Sequence, residues 1–364
     1  MVEWLAGNRI IGTTAERPAL GLPSGSVGGW KEVGRQKLDG NTATIDVSWT
    51  PDKRYYMILM DYTQTSDFSG LHQLGNSSID TGNNYHNRQY TGSGTDSASQ
   101  ATYVRLDNGW QSGDRKFVVE YIADLTNKEK LIINNMARSV TTGASQKPQR
   151  SEVVSKWVPS TASDTIGKFK MMNGGTYADN SEVVVLGWDP ADTHTDNFWQ
   201  ELANVNLSSA GSTLSSGVFT PKKFMWVQAW AKVSPATGAP TIQVGSGSVD
   251  TATNYSTRAK TSVGNNTTSS DDEATSSSID IAPAFIQNNE TFFVNMYIVN
   301  NSANEKLIIW DNVQQGGVGT LNATDRRLGV SKWANTSSQI DIVSLINAGS
   351  GNFSNGTIKV WGSD

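Results

Sequence analysis

The sequence predicts an all-β chain: two tandem, homologous β-sandwich domains, jelly-roll-like, preceded by an extended N-terminal arm. Three observations predict it. Short aliphatic and aromatic runs alternate with Gly-, Asn-, Asp- and Ser-rich turns such as TGSGTDSAS. No segment sustains a capped apolar stripe of 3.6-residue period, so long helices are not expected. A set of motifs recurs once, in the same order, along the 364 residues.

The duplication sets the domain boundaries. TPDKRYYM from Thr50 matches TPKKFMWV from Thr220, and NNYHNR from Asn83 matches TNYSTR from Thr253. YIADLTNKEKLII from Tyr121 matches YIVNNSANEKLII from Tyr297. Arg150 with SKW at Ser155 matches Arg326 with SKW at Ser331, and the halves close on LGWD at Leu186 and WGSD at Trp361. The offset grows from about 170 to about 176, as small loop insertions would make it. A solenoid unit of about 20–50 residues is far shorter. We therefore place sandwich repeats at 30–188 and 198–364, a linker at 189–197 and an arm at 1–29.

Within a repeat, Arg54–Tyr62 carries apolar residues on both parities, so both faces of that strand should be covered. Lys116–Ile122 alternates, with Phe117, Val119 and Tyr121 on one side. Lys130–Ile133 and Glu182–Leu186 read as further strands. An immunoglobulin-like domain needs only about 100 residues, so each longer repeat suggests a two-sheet sandwich of about eight strands. The arm, with Pro18, Pro23 and several glycines, cannot build its own core. It is expected to run extended and dock on a neighbouring subunit through Trp4, Leu5, Ile10 and Ile11.

Composition excludes several functions. Charged residues make up 17%, against about a quarter in a typical domain. The chain has no Cys, which removes a disulfide framework, a Cys-ligated zinc site and a thiol nucleophile. A net charge of −5 gives no electrostatic reason to expect nucleic acid. No run approaches the roughly 18–20 apolar residues of a membrane span. The opening MVEWLAGNRIIGTTAERPALG lacks the basic and apolar regions of a secretory signal, so a soluble protein made in a cytoplasm is expected.

Candidate site residues divide by whether both repeats keep them. Trp30 pairs with Trp199 and Trp157 with Trp333, which points to shared architecture. Trp49, Trp110, Trp230 and Trp310 have no matched aromatic, so they are candidates for a stacking platform or an interface. Arg88 and Arg258 follow N-Y-x-x, and Arg150 and Arg326 precede SKW; a repeated Arg anchors a loop through its planar donor fork, with a ligand anion as the alternative.

No catalytic residue stands out. His72, His86 and His194 lack a partner in any recognisable motif and read as loop or surface residues. Glu129 and Glu305, each followed by a Lys, read as strand-edge ion pairs. Paired carboxylates on distant strands would leave no local motif, so a polysaccharide-degrading enzyme stays as a third reading. Asp189, Asp192 and Asp196 in the linker, and Asp271 and Asp272 beside Glu273 in a loop, are the calcium candidates. Solvated turns suit both segments better, so no cofactor is expected.

The strings WLAGNRIIGTTAER, NSANEKLII, NKEKLII, SKWANTSSQI and GSGNFSNGTIKVWGSD resemble virion structural proteins of marine and uncultured tailed phages. The resemblance runs along nearly the whole chain. It implies a capsid-associated, head-decorating or tail-fibre protein of β-sandwich modules, made in the host cytoplasm and carried in the virion. Its partners would be further copies of itself and other virion proteins, and it assigns no catalytic residue. Three readings follow in order: a non-enzymatic virion structural protein, a lectin-like module for host surface glycans, and a polysaccharide-degrading enzyme.

Overall fold

A computed structural model describes residues 29–91, 97–107, 112–139, 141–172, 174–190, 192, 196–264, 267–317 and 323–364, with the backbone of two short strands in the arm. Those two, β1 (Trp4–Leu5) and β2 (Asn8–Arg9), pair antiparallel, so this part of the arm is a small hairpin. The side chains of Trp4 and Leu5, and all of Ile10 and Ile11, lie outside the described residues. No described residue is helical, and none lies in a helix long and apolar enough to cross a membrane.

The chain divides into two units, Met1–Met136 with Ser151–Phe198, and Ala137–Arg150 with Trp199–Asp364. Strands of the first repeat are β3 (Lys31–Lys37), β4 (Ile45–Ser48), β5 (Tyr55–Thr63), β6 (Leu71–Gly75), β7 (Tyr85–Thr91), β8 (Ser97–Ala101), β9 (Val104–Arg105), β10 (Arg115–Ala123), β11 (Lys130–Ser139), β12 (Gln149–Trp157), β13 (Lys168–Met172) and β14 (Glu182–Trp188). Those of the second are β15 (Gln200–Asn206), β16 (Thr213–Ser215), β17 (Phe224–Val233), β18 (Pro240–Ser246), β19 (Ser248–Val249), β20 (Tyr255–Val263), β21 (Thr267–Ser276), β22 (Ile279–Asp280), β23 (Thr291–Val299), β24 (Lys306–Gln314), β25 (Asp325–Trp333), β26 (Ile342–Asn347) and β27 (Phe353–Ser363).

Both repeats have one topology. The large sheet of the first runs β3-β14-β5-β10-β11-β12-β7-β8, and that of the second β15-β27-β17-β23-β24-β25-β20-β21. Position by position these are corresponding strands, and so are β4-β13-β6 and β16-β26-β18 of the small sheets. In each large sheet three of the seven neighbouring pairs are sequential strands, and the other four join distant parts of the chain. Each sandwich holds more strands than the eight or so expected.

Each core lies between its two sheets. In the first repeat Ile45, Val47, Leu74, Phe169 and Met171 of the small sheet meet Tyr56, Ile58, Met60, Val118, Ile122 and Val183 of the large one. In the second, Ile242, Val244, Val343 and Leu345 meet Val227, Val294, Ile308 and Ile358. As expected, β5 is buried on both faces from Tyr56 to Tyr62. The alternation read in β10 selects the wrong face. Val118 and Ile122 join the core, whereas Phe117, Val119 and Tyr121 point to the opposite side of the sheet.

Charged residues mask that inner face, because they are paired inside the sandwich. Lys116 lies 2.6 Å from Asp107, and His72 lies 3.0 Å from Glu120 while stacking on Phe169. All four are fully buried. His72 is thus a core residue, contrary to the loop or surface expected for it. His86 is exposed, and His194 lies outside the described residues. Matched glycines close the same turn in both repeats. A Cβ on Gly75 would lie 1.9 Å from the Ser78 carbonyl oxygen, and one on Gly245 1.9 Å from that of Ser248.

Candidate functional site

The motifs shared by the repeats hold the fold. Tyr85 hydroxyl accepts from the Leu74 N–H at 2.9 Å and lies 2.9 Å from the Leu74 carbonyl and 3.0 Å from that of Asp80. Tyr255 repeats this with Val244 and Asp250 at 3.0, 2.7 and 2.8 Å. The Trp157 and Trp333 indoles each donate to the preceding carboxylate, Asp80 and Asp250, at 2.8 Å. Burial works against charge on both carboxyls. Hydrogen bonds from Trp157, Asn84 and Gly82, or from Asn254, Trp333 and Ala252, outweigh it and hold them below the usual carboxylate range.

The other candidates scatter. Trp310 is buried in the second core with its indole on Ser331, so it presents no face to a ligand. Trp49 is half-buried against Tyr56 and Trp230 is half-buried, while Trp110 lies outside the described residues. Trp199 is buried beside Trp226 and Tyr297. Arg150 is buried and donates to the Leu328 carbonyl, whereas its match Arg326 is exposed beside Asp311. Arg258 pairs with Asp272, and Arg88 is exposed.

One pair of matched strands differs sharply in surroundings. In KLII of β24, Leu307 and Ile309 are 0% and 6% exposed, and Val330 beside them on β25 is 1% exposed. In KLII of β11, Leu131 and Ile133 are 59% and 53% exposed, and the corresponding Val154 of β12 is 47% exposed. Their ion pairs differ likewise. Glu305 and Lys332 meet at 2.9 Å almost fully buried, while Glu129 and Lys156 meet at 2.9 Å in solvent. The lysines following the glutamates, expected as their partners, instead turn inward: Lys130 to Asp124 and the Leu125 carbonyl, Lys306 to the carbonyls of Ser302, Asn304 and Asn335.

In the second unit a segment is anchored beside the corresponding face. Ser256, Lys332 and Leu307 form one row across β20, β25 and β24. Segment Ala137–Arg150, which groups with this unit, is anchored along it. Lys332 Nζ donates to the Thr141 carbonyl at 2.6 Å, and Ser256 Oγ to that of Gln146 at 3.0 Å. Glu305 accepts from Ser139 Oγ at 3.0 Å and from the Gly143 N–H. In the first unit the corresponding row is His86, Lys156 and Leu131, all open to solvent or partly so. Leu131 and Ile133 there border an apolar groove of about 450 Å³ walled by Trp30, Tyr55, Tyr121 and Trp188. Trp188 stacks on Tyr55 at 5.3 Å and lies 6.3 Å from Trp30. The only hint of this face in the sequence was the repeated apolar pair inside KLII.

The second candidate is an acidic cleft of about 580 Å³ in the second unit. Asp271, Asp272 and Glu273 line it from edge strand β21, where the sequence suggested a loop, and Asp280 lines it from β22. Arg327, buried, reaches Asp280 at 2.5 Å and Asp271 at 3.7 Å, and Phe285 stands exposed at the rim. Glu273 is half-buried. Burial raises its pKa, the charge of Asp280 adds to that, and Arg327 opposes it. Asp272 faces Arg258 and Lys147. The linker candidates are also matched by cations: Lys53 on Asp192, Arg54 on Asp189 and Lys31 on Asp196. Among the described residues no three carboxylate or imidazole groups are placed to hold a metal ion.

No protein-family model matches the chain, and no curated protein does. Among solved structures it is similar to the mouse laminin alpha1 chain domains LG4-5, at 8% identity and a TM-score of 0.17, over 92% of this chain and 90% of that one. It is similar also to the infectious bursal disease virus VP2 subviral particle, at 8% identity and a TM-score of 0.12, over 96% and 86%. Likenesses this slight bear on neither fold nor function.

Proposed function

We propose that this chain is a non-enzymatic structural component of a virion that works by assembling with copies of itself and with other particle proteins. The open apolar face of the first repeat carries the reading. Three aliphatic side chains stand together in solvent beside an aromatic groove, and a contiguous apolar patch of that kind marks an interaction surface. The arm, ending at Gly29 next to Trp30 on the groove wall, supplies a second attachment. The likeness of the sequence to phage virion proteins supports the setting.

The test is incorporation. Full-length chain and a chain lacking residues 1–28 are expressed during infection by the source phage, and purified particles are probed for each. Full-length chain should enter particles and the truncated chain should not. Absence of the full-length chain from particles, or equal incorporation of both, would refute the proposal.

The acidic cleft favours the glycan-binding reading as a second one. Carboxylates beside an exposed aromatic ring suit a sugar, which offers hydroxyl donors and an apolar face. A glycan array should then give binders that Asp280→Ala and Phe285→Ala lose. An array with no binder removes this reading, and release of reducing ends from a bound polysaccharide would replace it with the enzymatic one.

A further inference from the structure

We propose that the ionisable groups buried in the first sandwich keep the strands of the two repeats from exchanging places as the chain folds. The inference goes beyond the virion reading and does not depend on it. The chain carries two sandwiches of one topology, so each strand of one large sheet has a counterpart in the other. Misassembly, within a chain or between chains, is a characteristic failure of multidomain and repeat proteins. Main-chain hydrogen bonding does not prevent it, because the two ladders run in the same order. Side chains in the two cores must tell the repeats apart.

The cores differ in polarity at matched positions. In the first, Lys116 pairs with Asp107 at 2.6 Å and donates to Gln64, while Glu120 pairs with His72 at 3.0 Å. All of these side chains are buried. His72 Nδ1 and Glu120 Oε1 have no hydrogen-bond partner among the described residues, so each of these two groups depends on the other. Strand register and the shared turns place the counterparts in the second sandwich. Lys116 corresponds to Phe292 and Glu120 to Met296. His72 corresponds to Ile242, Asp107 to Ala282 and Gln64 to Val233. Each counterpart is apolar and buried. Tyr62, opposite Lys116, is likewise replaced by Ala231 opposite Phe292.

Exchange is therefore opposed in both directions. In the place of β23, β10 would set Lys116 against Val233 and Ala282, and Glu120 against Ile242, with no partner for either. In the place of β10, β23 would leave Asp107 and His72 facing Phe292 and Met296, and would press Phe292 onto Tyr62. Breaking a buried pair by removing one partner lowers the population of such a state about a hundredfold or more. In the native arrangement the same pairs add little over apolar groups of similar volume. The second repeat closes the same sandwich with no polar group at these positions. A set that the fold can omit, and that is paired where it is present, discriminates rather than stabilises.

Cysteine trapping tests this, because the chain has no Cys and an introduced pair reports alone. Val119 lies opposite Leu59 on β5, and the counterparts of this pair are Asn295 and Gln228. Val119→Cys with Leu59→Cys therefore reports β10 in its own place, and Val119→Cys with Gln228→Cys reports β10 in the place of β23. Each chain is refolded from urea under oxidising conditions, and the cross-linked peptides are quantified by mass spectrometry. With the polar set intact, the native cross-link should form and the cross-repeat one should stay at background. The core of the second repeat is then transplanted as Tyr62→Ala, Gln64→Val, His72→Ile, Asp107→Ala, Lys116→Phe and Glu120→Met. The cross-repeat cross-link should rise about tenfold or more. His72→Ile with Glu120→Met should give a smaller rise, and it decides the matter if the full transplant does not fold. Ile58→Ala weakens the same core without changing its polarity and should leave the cross-repeat cross-link at background. No rise in the transplant, or in the two-residue variant where the transplant does not fold, overturns the proposal. So does an equal rise in Ile58→Ala, which would make lost stability the cause.

Discussion

Lys156→Met and Lys332→Met change the same motif in the two repeats, one in solvent and one buried. Lys156 and Glu129 are 41% and 49% exposed, and a pair of that kind contributes about 0–1 kcal/mol. Lys332 and Glu305 are 0% and 5% exposed. Removing the cation leaves a buried carboxylate uncompensated, which costs about 3–5 kcal/mol. It also frees the Thr141 carbonyl, worth about 1 kcal/mol more. The two substitutions should therefore differ by about 3–6 kcal/mol. Urea unfolding followed by tryptophan fluorescence measures both, at protein concentrations too low for self-association, with each transition fitted separately if the units melt apart. Adding Glu305→Leu to Lys332→Met should recover much of the loss, since an apolar pair removes the orphaned charge. Amide exchange at Gly143, whose N–H donates to Glu305, should quicken in Lys332→Met and stay unchanged in Lys156→Met. Equal losses below about 1 kcal/mol in both variants would refute the assignment of a buried, segment-capping pair.

Tyr85→Phe and Tyr255→Phe should each cost about 2–4 kcal/mol in the same assay, because each strands a buried N–H and a carbonyl of the neighbouring small-sheet strand. Asp80 and Asp250 titrate below the ordinary carboxylate value, so their contribution is complete above about pH 4 and is lost as pH falls through their folded values. Asp80→Asn with Asp250→Asn should lower the Tm at neutral pH and flatten its acid limb. Glu273 has the opposite sign: its raised pKa makes the fold lose stability as pH climbs from about 4.3 through the folded value. Glu273→Gln should thus raise the Tm at pH 7 with no gain at pH 3, and a fall at pH 7 would refute the reading.

The order of motifs was enough to give the architecture. A duplicated chain of short apolar runs without helical periodicity can bury itself only as paired sheets, and the matched Tyr, Asp and Trp side chains recur because both sandwiches need the same brackets. Three things stayed hidden for physical reasons. The inner face of β10 was unreadable because Lys116 and Glu120 look like solvent residues until Asp107 and His72 arrive from other strands. The acidic cleft joins β21 to β22 across two sheets, so Glu273 and Asp280 share no local pattern. The environment of KLII was beyond any sequence pattern, since identical residues are buried in one repeat and open in the other.

That last asymmetry is itself informative. Single exposed aliphatic residues are ordinary on a protein surface and need no explanation. Here Leu131 and Ile133 border an aromatic groove, Val154 is exposed on the next strand, and all three are the same residue types that the second repeat buries at matched positions. The accompanying Glu and Lys are also the same. A copy freed of any need to be covered has no physical reason to hold three aliphatic side chains in water, where covering each would gain about 1–2 kcal/mol. A copy that must be covered has such a reason, and it would need this set: an apolar strip to bury and a self-neutralising ion pair to cap the arriving backbone. The exposed strip of the first repeat is thus the surface that the proposed assembly would cover, and its matched strip in the second repeat shows that these side chains can be buried.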